Sequence, residues 1–275
     1  MSFSVNTNSG AAMALQYLTQ TQGQLDQTQS AINSGLKVAS AKDDGAIYAI
    51  AQNQRGAVAG YQSVLNSINN GSSSIDVALS AGQSISDLLI QMKQKALSAA
   101  DTSFDTASRQ ALNANFTALR DQIATIVKNA VFNGFNLVDG STTQVAALAS
   151  ADGSRHITTS AQNMKLSGSI VSVATTASIS TQTKASALIA TIQTSLTNVN
   201  SALAKLSAGA AKFSIQAAFT MKLSDTLTAG IGNLVDANMA QESAKLQSLQ
   251  VKQQLGVQAL SIANQAPQAI LSLFR

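Results

Sequence analysis

Few side chains in this chain are suited to chemistry. His156 is the only histidine, it stands beside Arg155 in a stretch of Ser and Thr, and there is no cysteine. A ligand set with metal-binding spacing is therefore missing. Asp43 and Asp44 are the one adjacent pair of acids. Paired carboxylates can divide acid and base roles, but Asp just ahead of a helical apolar pattern more commonly caps the helix, and capping is the role predicted here. HExxH, Walker, GxGxxG and GxSxG motifs are absent, so the residues point to no catalysis, metal or cofactor. Asn70-Gly71-Ser72 and Asn115-Phe116-Thr117 fit the N-glycosylation pattern, yet both fall in stretches with helical spacing and are read as chance matches. The Ser and Thr residues within 141–183 remain open between two readings: acceptors for O-linked sugars, and a solvated loop.

The elements that must position these residues follow from composition and period. Of 275 residues, 45% are apolar and 4% aromatic, with no Trp and a single proline, Pro267. An aliphatic core with almost no helix breaker predicts a mainly α fold of long helices packed as an antiparallel rod or coiled-coil bundle. The net charge of +4 comes without a basic run, which gives no support to nucleic-acid binding. Every apolar stretch is interrupted by Gln, Ser or Asn, so none approaches the roughly 20 apolar residues of a membrane span. The first residues, MSFSVNTNSG, lack the basic and apolar regions of a cleavable signal, so an exported chain would leave by another route. The lack of cysteine fits a protein exposed to changing redox conditions outside the cell.

Ala11, Leu15, Leu18, Gln22, Leu25, Gln29, Ile32 and Leu36 alternate steps of four and three, which is the seam of a first long helix. Gln22 and Gln29 are polar positions in that seam, either register-fixing or merely tolerated. Ser34-Gly35 ends the helix, Gly35 suiting a left-handed cap, and residues 37–43 form a linker. A second helix starts at Asp43-Asp44 and carries Ile50, Leu65, Ile68, Ile75, Leu79, Leu89 and Met92. Propensity alone places a turn at Asn69-Asn70-Gly71. Leu112, Phe116, Leu119, Ile123 and Ile126 mark a third helix, ended by Asn133-Gly134. Residues 139–183 predict a small β-hairpin with exposed loops, from alternation at His156-Ile157-Thr158 and Ser169-Ile170-Val171-Ser172-Val173. Helical spacing resumes at Leu188 and runs to Leu227, with a break expected at Gly230 to Gly232.

The last helix carries two adjacent stripes, Val235, Met239, Leu246, Leu249 and Leu260, and beside them Val251, Leu255 and Ile262. Two stripes call for several neighbours where a two-stranded coil needs one. The tail holding Leu271, Leu273 and Phe274 is strongly apolar, a liability if exposed. Between Met1 and Leu36 the sole charge is Asp26, and from Gln253 to Phe274 there is none. Such ends suit burial on all sides, and the fitting surface is another copy of the same ends.

Ser34-Gly35-Leu36-Lys37, Ser40-Ala41-Lys42-Asp43-Asp44 and Ala49-Ile50-Ala51 resemble the amino-terminal signature of bacterial flagellins. Phe132-Asn133-Gly134 with Leu137 and Gly140 resembles that family's helix exit, and Ala263-Asn264-Gln265, Pro267-Gln268, Ile270-Leu271-Ser272-Leu273 and Arg275 resemble its closing sequence. The likeness covers roughly residues 1–140 and 185–275. It implies that Asn69-Asn70-Gly71 lies inside a continuous helix, against the propensity reading. It also implies that residues 1–36 and 236–275 pair into an inner filament-core domain, packed through Leu15, Leu18, Leu25, Ile32, Leu36, Leu246, Leu249, Leu255, Leu260, Ile262, Leu271, Leu273 and Phe274. Gly35, Lys42, Asp43 and Asp44 would form the linker and cap, and 44–138 with 184–231 a rod-like outer domain.

The function implied is that of a non-enzymatic, secreted subunit of the extracellular flagellar filament, used for swimming. Its implied partners are copies of itself, sister flagellins, the export apparatus, an export chaperone, and cap and hook-junction proteins, with no membrane or nucleic acid. Gln91, Gln94 and Lys95 stand where many flagellins carry the Arg, Glu and Leu seen by a vertebrate innate immune receptor, which predicts weak recognition. The competing readings are a hook-filament junction protein with similar ends, and a secreted coiled-coil adhesin or translocator. A protease inserted in the variable region is opposed by the single histidine.

Overall fold

The computed structural model describes residues 7–271, with side chains through residue 265. Its elements are α1 (Ser9–Ser34), α2 (Gly45–Ala100), α3 (Thr106–Asn129), β1 (Val131–Phe132), β2 (Phe135–Asn136), β3 (Gln144–Leu148), β4 (His156–Ser160), α4 (Gln182–Val235) and α5 (Met239–Leu271). Contacts divide the chain into two units, Ala57–Asp225 and the two ends, through Gly56 and from Thr226 onward. The boundaries fall inside α2 and α4, whose hydrogen-bond ladders pass them without a break.

In the unit of residues 57–225 the core is made of helix stripes. Ile68, Ile75, Ile85, Leu89 and Met92 of α2, Phe116 and Ile123 of α3, and Ile192, Val199, Leu206 and Phe213 of α4 are all fully buried in one cluster. These residues recur at helical spacing, so each helix turns a single apolar face inward. The turn that propensity places at Asn69-Asn70-Gly71 does not form, and α2 runs straight through it. Packing supplies the reason: a Cβ at residue 71 would run into the Phe213 ring. Gly71 lets α4 approach closely, and that burial outweighs the roughly 1 kcal/mol helix cost of glycine.

The end of α2 is closed from the next helix. Arg109 is buried and donates to the Ala99 carbonyl, to Asp101 O at 3.3 Å and to Phe104 O at 3.0 Å. It thereby satisfies carbonyls that a helix C-terminus leaves free. At the exit of α3, Asn136 donates to Val127 O at 2.7 Å and accepts from the N–H groups of Val138 and Asp139.

The expected hairpin exists with a different second strand. β4, which contains His156-Ile157-Thr158, pairs antiparallel with β3, matching Val145 to Thr159 and Ala147 to Ile157. Ser169–Val173 is not a strand; Val171 and Val173 plug the core, and Ser172 N–H donates to the buried Ser195 hydroxyl at 3.0 Å. Burial of alternate valines gives the same period whether or not the backbone pairs. In the β3–β4 loop the Ser150 hydroxyl, then the N–H and hydroxyl of Ser154, bond the Asp152 carboxylate and hold its pKa down to about 2.

The break expected at Gly230 to Gly232 is likewise displaced. α4 continues through both glycines to Val235. The chain turns only at residues 236–238, before Asn238 starts α5 by accepting from the N–H groups of Ala240 and Gln241.

Candidate assembly surface

The two terminal helices, α1 and α5, lie against each other in opposite directions. Asn8 Nδ2 donates to Ala263 O at 2.7 Å, Leu18 packs beside Gly256, Gln253 donates to Gln22 Oε1 at 2.6 Å, and Leu36 bridges Asp236. Gln22, a polar position in the α1 seam, thus finds an uncharged partner across the pair. Beyond α1 the backbone is stitched to the opposite segment: Ala237 N–H donates to Gly35 O at 2.9 Å and Lys37 N–H to Val235 O at 2.8 Å. Gly35 makes this possible, since it ends α1 at φ 71, the left-handed region that glycine enters freely.

Asp43 and Asp44 divide their work. Asp44 Oδ1 accepts from Ala46 and Ile47 N–H at 3.0 and 2.9 Å, capping α2. Asp43 Oδ2 accepts from the Ser40 N–H at 2.8 Å, the Ser40 hydroxyl and the Ala39 N–H, bonds to the charged form that hold its pKa below the usual value. Lys42 is exposed and joins this turn through its backbone, its N–H donating to the Ser40 hydroxyl at 3.3 Å.

The seam residues are not equivalent. Leu25 and Leu249 are buried, Leu18, Ile32, Leu36, Leu246 and Leu260 half-buried, and Leu15, Leu255 and Ile262 exposed. Leu271 is the last described position, and Leu273 and Phe274 lie outside the described residues. Among the described side chains of α1 and α5 only Leu25, Thr28 and Leu249 are buried. Met13, Tyr17, Val251 and Val257 join the exposed set, each more than half exposed. The pair therefore uses one narrow face of each helix and leaves broad apolar faces open.

Elsewhere, Gln91 and Gln94 are exposed on α2 and Lys95 is half-buried, while neighbouring Lys93 donates to Gln193 Oε1 at 2.6 Å. Of the hydroxyls within 141–183, Ser141, Thr143, Ser154, Thr175 and Thr176 are exposed, whereas Thr159 is buried under Gly209. His156 is exposed on β4, and no cluster of three metal-ligating side chains occurs among the described residues. Among them, too, no helix is long and apolar enough to cross a membrane. The sequence reading missed Arg109 and Asn136. A basic residue just past a helix-ending turn was the available signal for Arg109.

Residues 5–143 match the bacterial flagellin N-terminal helical region, and residues 189–274 the bacterial flagellin C-terminal helical region. Over 272 residues, covering 99% of this chain and 98% of the relative, the sequence is 51% identical to flagellin FljK of Caulobacter vibrioides. It is 41% identical to flagellin FljJ of that organism, over 100% of this chain and 99% of the relative. A flagellin of Brucella melitensis is 34% identical over 99% of both chains. The chain belongs to the bacterial flagellin family.

Proposed function

We propose that this flagellin polymerises through its terminal helices, the open faces of α1 and α5 being covered by the same helices of neighbouring subunits. The observation that carries this reading is the exposure of Leu15, Tyr17, Leu255 and Ile262, where α1 has Asp26 as its sole charge and α5 has none after Lys252. Magnitudes support it. Ordering a residue costs roughly 1–2 kcal/mol, and α1 and α5 together order 26 and 33 residues. A fully buried Leu returns roughly 1.5–3 kcal/mol, and the pair alone buries two. The ends therefore gain most of their stability on assembly, and frayed ends before assembly suit passage through an export channel. A heterologous contact that does not close gives an open helical polymer.

On this reading residues 1–36 with 236–275 form the filament core, 37–43 the linker, and the remainder the outer rod with its Ser/Thr-rich loops, whose exposed hydroxyls are available for O-linked sugars. The protein is secreted, co-assembles with sister flagellins, and meets an export apparatus and chaperone, a cap and a hook-junction protein on its way. Flagellins are structural proteins, and no catalytic role is assigned. The test is Leu25→Lys, which puts a charge into the buried seam. Electron microscopy should show no filaments while residues 57–225 keep their helical circular dichroism; normal filaments would refute the reading. Gln91, Gln94 and Lys95 fit weak engagement of the innate immune receptor, and a strong response in a receptor reporter assay would refute that part.

A further inference from the structure

The sequence holds two Asn-Gly pairs, Asn70-Gly71 and Asn133-Gly134, and the structure puts them in opposite surroundings. We propose that Asn133 is a site of spontaneous deamidation and Asn70 is not. In this reaction the backbone nitrogen of the following residue attacks the Asn side-chain carbonyl carbon. The new C–N bond closes a five-membered imide, and the side-chain nitrogen leaves as ammonia. Water then opens either imide carbonyl, giving Asp or isoaspartate. One water is consumed, one ammonia is released, and no oxidant or catalyst takes part. Glycine favours the attack because it has no Cβ to crowd the nitrogen.

At Asn133-Gly134 the geometry leaves that nitrogen accessible. The pair is the two-residue loop between β1 and β2, with Asn133 at φ 47 and Gly134 at φ 83, both exposed. Successive positive φ values are those of the tight hairpin turn that Asn-Gly prefers. Each strand has only two residues, and Val131 and Phe135 beside the loop are about half exposed. Asn136 anchors the far end of β2, but the turn and its exposed flanks stand clear of the core, so the turn opens locally at little cost and frees the backbone to reach the attack geometry. Asn70-Gly71 carries the same chemistry in a locked frame. It lies in the middle of α2, with Gly71 buried against Phe213, so its nitrogen is held in the helix ladder and becomes free only when α2 unfolds.

The product differs from Asn133 in two ways. A carboxylate replaces an amide beside a groove of about 380 Å³ lined by uncharged side chains, among them Ser63, Asn66, Asn70, Phe132 and Phe135. Isoaspartate also inserts a carbon into the backbone, which a two-residue turn of fixed register cannot absorb. Outside the cell such a change would accumulate with the age of a subunit.

The test follows the full-length folded chain over time in mildly alkaline buffer, with peptide mapping by mass spectrometry and isoaspartyl methyltransferase labelling. Asn133 should convert at least about tenfold faster than Asn70, the ratio reflecting local against global opening, and the two rates should converge in denaturant. Asn133→Gln should abolish the signal of that peptide, with at most a small drop in melting temperature because Gln takes φ 47 less readily than Asn. Equal rates at the two sites in the folded chain would overturn the proposal, as would a signal that survives Asn133→Gln and so belongs to Asn129 or Asn136.

Discussion

Gly71 is a residue whose local and tertiary meanings conflict. Locally it follows two asparagines and reads as a turn; in the folded unit it is the flat spot that admits Phe213. Gly71→Ala tests which meaning governs. Alanine should favour the helix by about 1 kcal/mol, while overpacking a full core costs about 1–3 kcal/mol. Phe213 is fully buried and has little room to yield, so the melting temperature should fall. A rise would mean that the ring relaxes freely. Gly35, by contrast, was legible from its neighbours, because a glycine at the close of a heptad seam has a local role, the left-handed cap, that needs no distant partner. Asp43 was legible only in part. Its type announced a cap, but its target, the Ser40 turn, depends on how residues 39–43 fold back.

At the level of elements, what could be read was what is periodic and local. The stripes of α1, α3, α4 and α5 were visible because each helix repeats its apolar face every three or four residues. Strand pairing is non-local, so the pattern at Ser169–Val173 read like the one at His156–Thr158, of which only the latter pairs, with Gln144–Leu148 of β3. The same limit applies to the assembly surface. Leu15 and Leu25 occupy one seam in the sequence, yet only Leu25 is covered by α5. A seam names a face, and how much of that face one antiparallel neighbour covers is fixed by the register of the pair, here set by contacts such as Gln22 with Gln253. The capping of α2 by Arg109 crosses a turn and depends on the path of that turn, so helical period alone could not reveal it.

For the whole molecule, the division into two units predicts separable failure. Removing residues 254–275 takes away Leu255, Leu260 and Ile262 with the apolar tail but touches nothing in the core cluster of residues 57–225. Filaments should be lost in electron micrographs while the melting transition of the central unit persists; filaments from the truncated chain would remove the tail from the assembly model. The backbone stitch of Gly35 to Ala237 and Lys37 to Val235 has a topological consequence. It turns everything between residues 38 and 234 into one closed excursion whose entrance and exit are held a hydrogen bond apart. Loop closure grows only logarithmically, so doubling a flexible excursion costs about 0.6 kcal/mol. Within that excursion the loops between β2 and α4 can therefore lengthen or diversify at little cost to the ends, which meet at the same gate whatever the loops become.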